Sequence, residues 1–222
     1  MSQRKSTKAT PHAQGAVERP GTQRGPVTRQ SGGVTRADRE RVLGQTGAVV
    51  WLTGLPSSGK TTVAFALETR LVGLGRAAYV LDGDNLRHGL NSDLGFSDAD
   101  RTENIRRVGE VAALFADAGL IVVASFISPF VADRQRARAA AGDGDFVEVF
   151  IDAPLAVCEA RDPRGLYRRA RAGQLPGFTG IDAPYEPPPA PDLHLRTAEL
   201  SIDEETQAVL DLLSARGVIA ST

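Results

Sequence analysis

Cysteine is nearly missing from this 222-residue chain: Cys158 stands alone, which excludes an internal disulfide framework and a zinc site of paired CxxC ligands. Excess charge is missing too. With 26 Lys and Arg against 27 Asp and Glu, bulk attraction to nucleic acid or an anionic membrane is not expected, and any phosphate binding must come from a local site. No apolar run approaches the roughly 20 residues that cross a bilayer, and the N-terminus lacks the apolar segment of about 7 to 15 residues of a secretory signal. The expectation is a cytoplasmic protein with neither membrane nor nucleic acid as partner. Aromatic residues make up only 5% of the chain, so a Phe outside the apolar runs demands a reason.

Residues 1–38 are rich in Ser, Thr, Gln, Gly, Pro and Arg and hold few sizeable aliphatics. Such a segment cannot offset its ordering entropy by burial, so it reads as a disordered basic tail ahead of one domain over 39–222, with a short helix beginning at Asp38–Val42. From Gly47 onward, short apolar runs alternate with helical periodicity. Ala48–Leu52, Ala77–Leu81, Leu120–Ala124 and Phe146–Ile151 read as strands buried on both faces, spaced for crossover helices and therefore parallel. Leu193–Leu195 is a possible fifth. Ile105, Val108, Val111, Ala112, Phe115 and Ala118 recur at helical spacing, as do Ile202, Thr206, Val209, Leu210 and Leu213. The fold expected is a three-layer α/β sandwich of the P-loop NTPase type, with a central, mainly parallel five-stranded sheet.

Directly after the first strand comes Gly54-Leu55-Pro56-Ser57-Ser58-Gly59-Lys60-Thr61-Thr62, which matches GxxxxGK[ST] and leads into a helical stretch over Val63–Val72. A triphosphate carries about four negative charges, and such a loop meets them with backbone N–H groups, a helix N-terminus and the Lys60 cation. The Thr61 hydroxyl suits a Mg²⁺ ion, which prefers oxygen ligands. ATP and Mg²⁺ are therefore the expected cofactors. The second strand runs into Asp82-Gly83-Asp84-Asn85, two carboxylates at a strand C-terminus, where open α/β sheets bind ligands. Either acid suits holding magnesium or accepting a proton, and an Asx-type turn is compatible with both roles. A Ser before a Pro, as at Ser128-Pro129, has the form of a helix N-cap with Pro at the first helical position.

The segments Leu81–Asn91, Asp93–Ser97, Asp100–Arg107, Phe126–Phe130, Arg161–Tyr167 and Phe178–Glu186, in that order, closely resemble the adenylylsulfate kinase family over about residues 47–215. The resemblance implies transfer of the γ-phosphoryl group of ATP to the 3'-hydroxyl of adenosine 5'-phosphosulfate (APS). It implies that Arg87, Arg101 and Asn104 contact the acceptor, that Phe96 and Phe178 sandwich its adenine, that Ile127 and Ser128 line its site, and that Arg161 helps bind the ATP base. Planar arginine donors suit a phosphosulfate, and Phe96 and Phe178 sit in polar, glycine-bearing loops where core packing is not the obvious use. A family-derived alternative makes Ser128 a phosphoserine intermediate, although direct in-line transfer is simpler. Arg161, Arg164, Arg168, Arg169 and Arg171 read as a cationic lid. Relatives often have Lys at the positions of Arg168 and Arg169, and Ser-Gly at those of Pro56 and Ser57. A homodimer and a functional link to ATP sulfurylase are also implied. The rival readings are a kinase for another small hydroxyl substrate and a non-catalytic nucleotide-binding regulatory domain. The latter should have lost Lys60 or the carboxylates.

Overall fold

The computed structural model describes residues 28, 30 and 32–220. Most of the expected tail, residues 1–27, 29 and 31, lies outside the described residues. The compact unit that holds the sheet begins at Val34, ahead of position 39. The reason is local. Thr35 caps helix α1 (Arg36–Leu43) by accepting from the Asp38 amide, while the Asp38 carboxylate accepts from the Thr35 amide, a reciprocal box that fixes the start ahead of Asp38. Arg36 then reaches the carboxylate of Asp145 and the carbonyl of Gly47, tying α1 to the domain.

Five strands form one parallel sheet: β1 (Ala48–Thr53), β2 (Ala78–Asp82), β3 (Ile121–Ser125), β4 (Phe146–Asp152) and β5 (Leu193–Arg196), in the order β2-β3-β1-β4-β5. Every strand continues past its last apolar residue to a polar one, Thr53, Asp82, Ser125, Asp152 and Arg196. Hydrophobicity marks where the core ends; the hydrogen-bonded ladder runs one residue further and lines up polar side chains along the carboxyl edge. The connection from β1 runs toward β2 and that from its neighbour β3 runs the opposite way along the sheet to β4, so the loop after β1 opens at the topological switch point.

The side-chain alternation of β1 feeds two cores. Ala48, Val50 and Leu52 pack with Val63, Leu67 and Leu71 of α2 (Lys60–Gly73) and with Val209, Leu210 and Leu213 of α8 (Ile202–Ala215). Val49 and Trp51 pack on the other face with Ile105, Val108 and Ala112 of α4 (Asp98–Asp117) and Ala137 of α5 (Val131–Ala141). This is the three-layer sandwich, and its sheet is parallel throughout. Gly109 permits the α4–α5 contact: a Cβ there would stand 3.0 Å from the Cα of Ala137. Three short helices complete the carboxyl edge, α3 (Gly83–Leu86), α6 (Leu155–Arg161) and α7 (Leu166–Arg171).

The N-cap expected at Ser128 is not formed. Helix α5 starts at Val131 with Phe130 at the cap position, and Ser128 has a left-handed φ of 40°. The Ser128 hydroxyl instead turns inward, where it accepts from the Trp51 indole at 3.1 Å and donates to Thr53 Oγ1 at 3.0 Å. A buried indole N–H needs an acceptor more than an exposed helix start needs a cap.

Candidate active site

The phosphate loop follows from its neighbours. At Gly54 a Cβ would lie 2.3 Å from the carbonyl oxygen of Ile151 in β4, so only glycine lets the chain turn there. The loop carbonyls are gripped from outside: Pro56 accepts from the Tyr167 hydroxyl at 2.9 Å, and Ser58 accepts from Thr197 Oγ1 at 2.8 Å and Arg161 at 3.0 Å. Lys60 opens α2 and is buried, its Nζ donating to the carbonyls of Gly54 at 3.0 Å and Leu55 at 2.6 Å. Burial pulls its pKa down to about 8, against the fields of Cys158, Asp82 and Asp84.

The next residue, Thr61, donates to Asp82 Oδ2 at 3.1 Å, across the gap between α2 and the end of β2. The other oxygen of Asp82 accepts from the amides of Asp84 at 3.0 Å and Asn85 at 3.3 Å, which starts α3. The Asx-type turn and the site-facing carboxylate are thus the same residue. Asp84 differs: its carboxylate is largely exposed and pairs with Arg164 at 2.6 Å. Lys60, Thr61, Asp84, Arg161, Arg164 and Glu205 are among the residues lining one cleft of about 600 Å³. Among the described residues no group of three or more His, Cys, Asp or Glu is arranged to hold a metal, so any cation here needs oxygens from a ligand or from water.

The residues expected to meet the acceptor form a neighbouring cluster. Arg87 lies 4.3 Å from the ring centroid of Phe96 and donates to the carbonyls of Leu94 and Gly95, both at 3.0 Å. Burial lowers its pKa against the opposing field of Asp84. Phe96 itself is 70% exposed. Arg101 donates to the Phe96 carbonyl at 3.0 Å, to Thr179 Oγ1 at 2.7 Å and to the Gly177 carbonyl, joining the Phe96 loop to the Phe178 loop. Asn104 is buried and its Oδ1 accepts from Asn91 at 2.9 Å. Phe178 departs from expectation: it is 9% exposed and packs edge-on against Tyr167 at 5.0 Å, with Cys158 and Ala153 in the same small core. The glycines around it shape the loop's turns; they do not expose the ring.

Ile127 is half-buried, and its carbonyl accepts from Thr53 at 2.8 Å. Thr53 also bonds the Tyr185 hydroxyl at 3.1 Å, whose pKa burial pushes up to about 12. Behind this network, the buried Arg134 donates to the Ser128 carbonyl at 2.7 Å and to Glu148 at 2.7 Å. Of the arginines read as a lid, Arg161 is folded onto the phosphate loop, Arg171 pairs with Glu159 at 2.6 Å, and Arg164 alone of these three reaches across to Asp84. Thr53, Tyr167, Thr179, Thr197 and Glu205 were not singled out from sequence. One of them had a signal: Thr53 is the polar last residue of an otherwise apolar strand.

The family model described as adenylylsulphate kinase matches residues 46–196. The adenylyl-sulfate kinase of Citrobacter koseri is 60% identical over 188 residues, 85% of this chain and 93% of that protein, and the one of Yersinia pestis is 56% identical over 188 residues, covering 85% and 88%. Among solved structures, the Mycobacterium tuberculosis APS kinase in complex with AMPPNP and APS is 55% identical with a TM-score of 0.74, over 77% of this chain and 99% of that one. A gluconokinase from Sinorhizobium meliloti, 18% identical with a TM-score of 0.51, shares the fold alone. With the lysine loop beside Asp82 at the carboxyl edge of the sheet, these likenesses are decisive, and the chain belongs to the adenylylsulfate kinase family of phosphotransferases.

Proposed function

We propose that this protein transfers the γ-phosphoryl group of ATP to the 3'-hydroxyl of APS, giving 3'-phosphoadenosine 5'-phosphosulfate and ADP, with each half of the site serving one nucleotide. One observation carries the reading most: a continuous line of contacts runs from Phe96 through Arg101 to Thr179 and Phe178, and from Phe178 through Tyr167 to the carbonyl of Pro56 in the phosphate loop. This line of contacts supports one cleft that serves two nucleotides.

On the donor side, the backbone of Gly54–Thr62 cradles the phosphates and Lys60 exchanges its carbonyl partners for phosphate oxygens. Arg161, beside Thr197, flanks the base. The Thr61 hydroxyl and Asp82 carboxylate are hard oxygen donors 3.1 Å apart, a set that fits Mg²⁺, which takes few protein oxygens and keeps water and phosphate in its shell. When bound, that ion neutralises charge on the β- and γ-phosphates. Asp82 is fixed by Thr61 and by the amides of Asp84 and Asn85, which holds its carboxylate at the Mg²⁺ position and leaves the proton to the other acid. Asp84 is open to the cleft and takes the proton from the acceptor hydroxyl as Arg164 releases it.

On the acceptor side, Arg87 and Arg101 meet the phosphosulfate, Asn104 and the Ile127–Ser128 backbone line the floor, and Phe96 closes on the adenine opposite Phe178. Transfer is direct and in line. The Ser128 hydroxyl is buried and committed to Trp51 and Thr53, which makes it a support for the loop and not a nucleophile. Family membership further supports a homodimer, a functional link to ATP sulfurylase and a cytoplasmic site of action; no helix among the described residues is long and apolar enough to cross a membrane.

Incubation with ATP, Mg²⁺ and APS, followed by chromatography, should yield the 3'-phosphorylated product. If none forms at any workable concentration, the assignment is wrong. In a single turnover with γ-labelled ATP, no label should remain on the protein.

A further inference from the structure

Three successive acids, Asp203, Glu204 and Glu205, open α8, and two of them have ordinary explanations. Asp203 is exposed at a helix N-terminus, and Glu204 closes a capping box with Ser201. Glu205 has neither. It is 1% exposed, neither carboxyl oxygen has a hydrogen-bond partner, and it forms part of the wall of the cleft that holds Lys60 and Arg161. The polar groups around it are spent elsewhere: Thr206 donates to the Ile202 carbonyl at 2.6 Å, and Arg161 donates to Ser58 and Thr197. Burial pushes the carboxyl pKa up, against the field of Arg161.

An unpartnered buried carboxyl is costly to a fold. The packing of α8 does not require it, because Val209, Leu210 and Leu213 already provide the apolar face. A partner that arrives with the ligand accounts for its retention. That partner is not phosphate, since like charges repel and the phosphate end is marked by Lys60 and Thr61. Around Glu205 the cleft wall is formed by Pro163, Leu200 and Ile202 beside Arg161, surfaces suited to a flat base.

We propose that Glu205 is a specificity-determining residue for the phosphoryl donor, its carboxyl oxygen accepting a hydrogen bond from the exocyclic amino group of adenine. This rests on the assignment of the cleft to ATP. A site built to bind an N–H group discriminates strongly against an analogue that lacks it, because its own polar group is left unpaired.

The test compares ATP with purine riboside 5'-triphosphate, which lacks the 6-amino group, using the full chain and APS as acceptor. Wild type should favour ATP by at least about tenfold in kcat/KM. In Glu205→Leu that ratio should fall toward one, whereas Glu205→Gln, which keeps a carbonyl oxygen, should retain most of it. Glu205→Ala replaces the leucine variant should the latter not fold. A residue with a purely structural role would lower turnover with both nucleotides alike and leave the ratio unchanged. Equal use of the two nucleotides by wild type, or a wild-type ratio in the leucine or alanine variant, overturns the proposal. A wild-type protein that phosphorylates APS with neither nucleotide points instead to failure of the functional assignment.

Discussion

The two halves of the cleft are built in contrasting ways. The donor half is a strand, a loop and a helix N-terminus, with Lys60 and Asp82 buried and the loop carbonyls tied down by Tyr167, Thr197 and Arg161. The acceptor half is assembled from two separated loops, bridged by Arg101, and its foremost aromatic, Phe96, is 70% exposed. A phosphate cradle needs fixed backbone donors before its ligand arrives, because their value lies in costing no reorganisation. A stacking platform must let a base in and close behind it. Rigidity is thus concentrated where charge is transferred, and openness where a second nucleotide enters.

The contrast breaks most visibly at Lys60. Lys60→Met should lower kcat by roughly 10²- to 10³-fold, the usual loss when one charge-stabilising donor is removed, as followed by product formation under saturating substrates. Asp84→Asn should cost on the order of 10²-fold in kcat with little change in melting temperature, the carboxylate being mostly exposed. If Asp82→Asn proves far more damaging to kcat at saturating Mg²⁺ while Asp84→Asn is silent, the division of labour between the acids is reversed.

Phe96 and Phe178 sharpen the comparison, because one role is expected from two environments. Phe178→Ala should destabilise the fold by about 3 kcal/mol, the ring being only 9% exposed against Tyr167, and should lower the melting temperature by roughly 6–12 °C. Phe96→Ala should leave the melting temperature unchanged and raise the KM for APS by roughly 5- to 150-fold, from about 1–3 kcal/mol of stacking. Equal loss of stability in both variants would mean that the Phe96 loop is as firmly packed as the donor half.

A pH experiment addresses Lys60 itself. Burial holds its pKa near 8 in the free protein, below the ordinary 10.5, so between these values the unfolded chain binds more protons and this group makes stability rise with pH. A bound triphosphate favours the ammonium and reverses that preference. Nucleotide binding should therefore take up part of a proton between about pH 8 and 9 and weaken as pH rises further, as read by calorimetry in buffers of differing ionisation enthalpy. Lys60→Met should abolish the uptake; uptake that persists assigns the proton to another group. The smallest effect is expected at Ser57, a non-glycine residue with a φ of 59° in the phosphate loop. Relief of about 1 kcal/mol of backbone strain in Ser57→Gly is opposed by a similar gain in unfolded-state entropy. The net shift in unfolding free energy should stay within about 1 kcal/mol, with turnover within about twofold of the original.

Much of this was legible in the residues. The apolar runs marked all five strands to within one residue at either end; β1, β3 and β4 are buried on both faces and show nearly their whole length as hydrophobicity, whereas β5 alternates and exposes His194 and Arg196. Lys60, Thr61 and Asp82 were legible because their chemistry is local to a strand end. Ser128 was misread as a cap, since nothing near it in sequence announces the indole of Trp51, and Phe178 was misread as open because its cover, Tyr167, comes from another segment. Glu205 was invisible for a similar reason. Three consecutive acids look alike until the turn of α8 sends one of them inward.

What the sequence determined by itself was whatever depends on spacing along the chain: the alternation that makes strands and helices, the glycines of the phosphate turn, and the acids two positions apart at the end of β2. The tertiary structure alone decided which polar groups find partners. Burial, the commitment of Ser128 and Asp82, the openness of Phe96 and the isolation of Glu205 all depend on segments distant in sequence meeting at one sheet edge. Whether a side chain is spent or still available is a property of that meeting, and availability is what separates a reacting group from a supporting one.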